Sequence, residues 1–181
     1  MEIYHAPGDK ILDAGSGQNP NPNANVLLEK YKKNVSRGAD MVKPKGKKIV
    51  YGDIQDMPFK NKEFDFVYCC HVLEHVDEPG SAITELVRVA RAGYIETPTP
   101  IWELLFGRKY HKWTVKLQDK ILFFYKNGHN KHISEPMDKL YSESWKFRDY
   151  FERNKADFYN QLYWKKKVEY IVNPDIKTIK I

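Results

Sequence analysis

Residues Ile11-Leu-Asp-Ala-Gly-Ser-Gly17 constrain this chain more than any other stretch. An apolar run of strand type ends in two glycines one residue apart, where absent Cβ atoms permit tight, positive-φ backbone and close approach of a ligand. In an open α/β sheet the loop leaving the first strand lies where the strand order reverses. A small molecule placed there meets backbone N–H groups and the side chain of Asp13. A lone Gly-x-Gly is weak evidence. Glu29, closing the next strand-like run Asn25-Val-Leu-Leu-Glu29, strengthens it, because a ribose diol needs an acceptor and a carboxylate offers two oxygens.

The chain beyond this point alternates between strands and connections. Asn19-Pro-Asn-Pro-Asn-Ala-Asn25 opposes a helix, since each proline removes a donor and restricts its predecessor, so the first crossover is expected to be a loop. Lys30 to Lys48, with Gly38, Pro44 and Gly46, reads as a lysine-rich surface segment. Lys48-Ile-Val-Tyr-Gly52 and Phe64-Asp-Phe-Val-Tyr-Cys-Cys70 read as the third and fourth strands, with Asp53 just past the former. A helix is expected from Glu78-Pro79-Gly80-Ser81, capped by Ser81, carrying Ile83, Leu86, Val87 and Ala90 inward and ended by Gly93. Gly93-Tyr-Ile-Glu96 then makes a fifth strand, closed by the stiff turn Thr97-Pro-Thr-Pro100. Further on, residues 111–117 and 120–125 read as a hairpin, 136–154 as a helix and 168–172 as a last strand. This order predicts an α/β fold with a Rossmann-like, mainly parallel sheet flanked by helices, with antiparallel C-terminal strands.

At 181 residues one domain is expected: a ligand-binding half over 1–100 and a C-terminal elaboration over 101–181. The net charge of +6 belongs to the second half, which also holds most of the aromatic residues. That combination fits either cations and rings gripping an acidic or nucleic-acid partner, or a solvated basic surface over an aromatic core, and base rates favour the core. No apolar leader and no run of roughly 18 apolar residues is present, which predicts a soluble, cytoplasmic protein without a membrane span. Adjacent Cys69 and Cys70 suit neither a structural disulfide nor a zinc site.

Ordered motifs carry a resemblance. Ile11-Leu-Asp-Ala-Gly-Ser-Gly17, Gly52-Asp-Ile-Gln-Asp-Met-Pro-Phe59, Phe64-Asp-Phe-Val67, and His71-Val-Leu-Glu-His-Val76 followed by Arg88-Val89 resemble class I S-adenosylmethionine-dependent methyltransferases of the type 11 group, over roughly residues 9–98. The resemblance implies S-adenosylmethionine as cofactor. Asp13, Gly15, Ser16 and Gly17 would hold its methionine end, Glu29 its ribose hydroxyls, and Asp53 with Ile54 its adenine, while the backbone near Cys70 and His71 closes the site. The family's third motif glycine is replaced at Asn19. Together the motifs lead to the expectation that Asp13, Glu29 and Asp53 surround one nucleoside-sized hollow.

Methyl transfer from a sulfonium is an in-line displacement, which needs alignment and exclusion of water, and a base only where the acceptor arrives protonated. His71, at the end of the fourth strand, is the candidate base, and Glu96 and His111 are candidates for touching the acceptor. The Asn-Pro-Pro-aromatic arrangement of enzymes acting on exocyclic base amines is replaced by Cys69-Cys-His71, which counts against base N-methylation. A small-molecule or glycan-type hydroxyl acceptor is therefore expected, with nucleic acid not favoured. His71-Val-Leu-Glu74-His75 also spells H-x-x-E-H, but a zinc site there needs both histidines on one face of a continuous helix, and a preceding strand and the nearby Pro79 oppose that, so no metal is expected. Tyr163-x-x-x-Lys167 matches a dehydrogenase pair by chance, in what reads as a basic turn. Two rivals remain. One is a methyltransferase-like module that has lost turnover and binds nucleic acid or protein; the other is a nicotinamide-dependent reductase, which should show a fuller glycine fingerprint.

Overall fold

The computed structural model describes residues 5–32, 44–127 and 131–174. Most of the lysine-rich stretch expected after the second strand lies outside the described residues. Strands β1 (Ile11–Ala14), β2 (Val26–Glu29), β3 (Lys48–Tyr51), β4 (Phe64–Cys70) and β5 (Ala90–Pro98) form the parallel body of a six-stranded sheet. Its order is β3-β2-β1-β4-β5-β8, with β8 (Tyr159–Lys165) antiparallel at the edge. The order reverses between β1 and β4, so the loops that follow these two strands flank the switch point, where a ligand is expected.

Strands covered on both faces read as continuous apolar runs, and every residue of β1 and β2 is buried. Leu12, Leu28, Cys69 and Ile95 face one layer, which α1 (Pro79–Val89) and a smaller sheet of β6 (Trp113–Gln118), β7 (Ile121–Lys126) and β9 (Glu169–Val172) cover with Ile83, Leu86, Val115 and Phe124. Ile11, Leu27, Phe66, Tyr68 and Tyr94 pack on the other face. The first crossover is helix-free, as Pro20 and Pro22 dictate.

Several elements differ from expectation. Helix α1 starts on Pro79 with Glu78 at the cap position, because proline's fixed φ and missing N–H suit the first helical residue. Ser81 lies inside the first turn and caps nothing. The helix runs straight into β5 at Ala90, and Gly93 is a strand residue. A Cβ there would stand 2.7 Å from the Val67 carbonyl oxygen and 2.8 Å from the Trp164 ring, so this glycine makes room for close packing instead of ending a helix. Thr99 accepts a hydrogen bond from Trp102 N at 3.3 Å and caps α2 (Pro100–Phe106), an element not expected from the sequence. The helix expected over 136–154 is broken at Ser144 into α3 (Lys131–Glu143) and α4 (Trp145–Arg153), and a short α5 (Lys155–Phe158) follows. Tyr163 sits in β8, not in a basic turn.

Some aromatic residues of the second half form a core of their own, with Phe106, Phe151 and Phe158 buried against Trp102, Tyr141 and Tyr159, while Trp113, Phe124 and Trp164 join the main core. Among the described residues no helix is long and apolar enough to cross a membrane. Cys69 and Cys70 are free thiols.

Asn160 fastens the two halves together. Its amide nitrogen lies 3.0 Å from Thr97 Oγ1, 2.9 Å from the Pro98 oxygen and 2.8 Å from the Val115 oxygen, and its Oδ1 accepts from Leu117 N at 2.9 Å. Asn160→Leu strands these buried groups and is expected to lower the unfolding free energy in urea by about 2–4 kcal/mol. A loss below about 0.5 kcal/mol would show that the amide is not a fastening.

Candidate active site

The first edge of the site is built from strand ends. Asp13 is buried and its Oδ2 accepts from Asn21 N at 2.8 Å. Burial, reinforced by the charge of Glu29, raises its pKa to about 6 in spite of that bond. Ser16 Oγ and Gly17 N donate to the same oxygen of Glu29, at 2.5 and 2.7 Å. Asp53 follows β3, where burial opposes its charge but Lys30, 2.8 Å away, and the Gln55 backbone N–H, 2.9 Å away, hold its pKa below the usual carboxylate value. Ile54 beside it is buried. Cys70 ends β4 opposite Glu96 of β5, and burial pushes its thiol pKa up.

Asp13, Glu29 and Asp53 thus stand at the carboxyl ends of three adjacent parallel strands. These three acceptors suit a ligand that offers an ammonium, a diol and an amino-bearing ring as donors, and the position of a Cβ on Gly17 (φ +54°) is open space. In this structure the three carboxylates engage internal groups. Each is turned onto the protein's own donors, which a ligand would displace from Glu29 and Asp53, and the two cavities described next open past the switch point.

The first cavity, about 170 Å³, is lined by His71, Glu74, His75, Arg108, Tyr110, His111 and Tyr159 together with Pro98 and Trp102. His71 has a left-handed backbone (φ +56°). Its Nε2 lies 3.2 Å from Glu96 Oε1 and its Nδ1 3.6 Å from Glu74 Oε1. Burial disfavours the imidazolium, but these two carboxylates outweigh it and raise the His71 pKa to about 9. At neutral pH the ring therefore holds its proton. Glu96 also accepts from Tyr94 Oη at 2.5 Å and Gln161 Nε2 at 3.1 Å.

Glu74 is 1% exposed and lies in a short 3-10 turn, Leu73–His75. Burial opposes its charge, but His71, His75 and His111 around it bring its pKa below the ordinary value. His111 reaches the cluster from just before β6, its Nδ1 2.6 Å from Glu103 Oε1. A second cavity, about 400 Å³, is lined by Thr99, Leu117, Ala156, Tyr159, Asn160 and Gln161, so Tyr159 is a wall of both.

Topology therefore brings His71, the candidate base, and Glu96 and His111, the candidate acceptor contacts, to one place. Glu103, Arg108, Tyr110 and Tyr159 join them without any motif in the sequence to mark them. Where H-x-x-E-H would need its two histidines to share a metal on one helix face, the turn puts His71 against Glu96 and brings His75 to His111 instead, with ring centroids 4.6 Å apart.

Residues 12–95 match the family model described as a methyltransferase domain. A demethylmenaquinone methyltransferase from Renibacterium salmoninarum is 32% identical over 92 residues, 48% of this chain and 39% of that protein. The chain thus spans well under half the length of this curated relative. Among solved structures, a chain from a Haloferax volcanii complex that contains the Trm112 methyltransferase activator superposes with a TM-score of 0.52 at 12% identity, covering 88% of this chain and 83% of the other. A SAM-dependent methyltransferase from Methanosarcina mazei gives a TM-score of 0.45 at 16% identity, over 76% and 78% of the two chains.

The glycine loop generates a test of its own. A Cβ on Gly15 (φ +85°) would stand 2.6 Å from Val72 Cγ2, whereas on Gly17 it meets nothing within 4 Å. Gly15→Ala is expected to cost the ligand-free protein about 2–4 kcal/mol by overpacking and backbone strain, and Gly17→Ala only the strain, about 1 kcal/mol. Equal losses in urea titrations would contradict the contact between the two loops.

Proposed function

We propose that residues 12–95, which match the methyltransferase domain model, work as a class I, S-adenosylmethionine-dependent methyltransferase domain, and that this chain methylates a small-molecule or glycan-type hydroxyl acceptor held in the cavity beyond the end of β4. The observation that carries the proposal is the adjacency of two edges of one sheet: three carboxylates on the ends of β1, β2 and β3, and a small ionic cavity at the ends of β4 and β5. Asp13 pairs with the amino group of the methionine end beside Gly15, Ser16 and Gly17, Glu29 exchanges Ser16 and Gly17 for the ribose diol, and Asp53 with Ile54 takes the adenine. The backbone at Cys70 and His71 separates this edge from the acceptor. Bound there, S-adenosylmethionine supplies an electrophilic methyl group on a sulfonium.

The protein's own part is alignment and exclusion of water. A chamber of about 170 Å³ falls below the roughly 300–1,000 Å³ of drug-sized sites and supports an acceptor group about the size of one ring. His71 is the group nearest the junction of the two edges. Holding its proton between Glu74 and Glu96, it positions the acceptor as a hydrogen-bond donor, and it acts as a base only after losing that proton. Residues 101–181 supply Trp102, Arg108, Tyr110, His111 and Tyr159 as the acceptor wall. The bonds of Glu29 to Ser16 and Gly17 favour one second reading, a domain that has lost turnover and serves as a nucleic-acid or protein-binding module. Affinity for nucleic acid that falls steeply with salt, with no response to S-adenosylhomocysteine, would identify it.

S-adenosylhomocysteine at about 100 times its Kd is expected to stabilise the protein by about 2.7 kcal/mol, read as a rise in Tm; an unchanged Tm at saturation would overturn the proposal. The buried Asp13 adds a pH dependence. Its folded pKa of about 6 lies above the ordinary 3.8, so the folded state binds the proton more tightly and the ligand-free protein loses stability as pH rises from about 4 to about 6. The ionised form pairs with the ligand's ammonium. Affinity for S-adenosylhomocysteine is therefore expected to rise about tenfold between pH 5 and pH 7 in calorimetric titrations, and Asp13→Asn to flatten that rise. A pH-independent affinity in the unaltered protein would remove Asp13 from the ligand.

A further inference from the structure

Glu74 is a buried carboxylate neither of whose oxygens makes a hydrogen bond among the described residues. His71 Nδ1 at 3.6 Å and His75 Nε2 at 3.8 Å stand at ion-pair distance only. Desolvating a carboxylate costs several kcal/mol, and leaving it short of direct partners is a cost that a bound cation would remove. One ligand atom each from Glu74, His75 and His111 lies within 4.8 Å of the other two. Ligands held roughly 2.0–2.2 Å from a metal sit about 3–4 Å apart, so closing the site takes only a small inward turn of the rings.

The orientation of His111 is the second sign. Its Nδ1 faces Glu103 Oε1 at 2.6 Å, and the side chains of both residues are less than a tenth exposed. A carboxylate only accepts, so Nδ1 is the donor in this bond and Nε2 is the nitrogen that a metal would take, in the neutral ring. This carboxylate–histidine arrangement is the one that fixes tautomer and ring direction at metal sites. Arg108 lines the same cavity, but Asp138 engages its charge.

We propose that Glu74, His75 and His111 form a binding site for one divalent transition-metal ion of mixed nitrogen and oxygen preference, zinc or cobalt being suitable probes, with Glu103 as the positioning residue of His111. Two imidazoles and one carboxylate leave coordination positions open, as in catalytic and not structural metal sites. Those positions face the cavity assigned above to the acceptor, so the inference extends that reading: the ion binds and orients an oxygen of a hydroxyl-bearing acceptor.

The test is calorimetric titration of the metal-free full chain with zinc, repeated with cobalt by absorption spectroscopy. One equivalent is expected to bind, with cobalt giving the visible bands of a four- or five-coordinate nitrogen and oxygen site. His111→Asn is expected to weaken binding at least 100-fold. Glu103→Gln, which keeps the shape of the side chain, is expected to weaken it by about 10–100-fold, with circular dichroism confirming that each variant is folded. No zinc uptake by the unaltered chain, or uptake that His111→Asn and Glu103→Gln leave unchanged, would overturn the site. Parallel melts with S-adenosylhomocysteine keep the two readings apart. Zinc binding without a nucleoside response retains the metal site and removes the methyltransferase function, and the converse result does the reverse.

Discussion

A carboxylate buried as deeply as Glu74 has to be surrounded by polar partners, and this requirement organises the junction between the two halves of the protein. Desolvation of such a group costs several kcal/mol, and the compensating imidazoles come from both sides: His71 and His75 from the loop after β4, and His111 from the approach to β6. Bonds to backbone carbonyls brace the same junction, with Lys112 N donating to the Glu74 carbonyl oxygen at 2.7 Å and the Trp113 indole to the Val76 carbonyl oxygen at 2.8 Å. The smaller sheet is therefore seated where it satisfies the loop that follows the central strand.

The remaining strand ends are arranged by the same logic at lower burial. Asp13, Glu29 and Asp53 face the switch point because parallel strands deliver their carboxyl termini to one edge, and each is held by a different local donor: the Asn21 amide, the Ser16–Gly17 turn and Lys30. The two loops at the switch point touch through Gly15 and Val72. The loops of the two edges are thereby in van der Waals contact as well as joined through the pairing of β1 with β4.

The sheet was legible in the sequence because buried parallel strands announce themselves as short apolar runs, and β1 to β4 fall within a residue or so of where those runs predict. The strand-end carboxylates were legible for the same reason. Local rules failed where tertiary contact chose between two permitted conformations. Gly93 reads as a helix stop but is required by the Trp164 ring, and Tyr159 to Lys165 alternates its burial as an edge strand while the lysines from Lys165 to Lys167 suggest a turn. His111 and Glu103 carry no signal, since nothing in the chain between them and Glu74 says that α2 folds back over the end of β4. A pair of groups brought together only by folding leaves no spacing to read.

Tyr159 stands between two hollows, one of about 170 Å³ and one of about 400 Å³. Its phenol is a partition whose position is set by side-chain torsion, held by edge-on contact with His71 at 5.0 Å and by the Trp102 ring at 5.2 Å. The two compartments share that one ring as a wall, one on the side of the imidazoles and the other on the side of Asn160. The extent of each compartment is thus set by a side chain and not by the backbone, and a smaller residue at position 159 is expected to enlarge both.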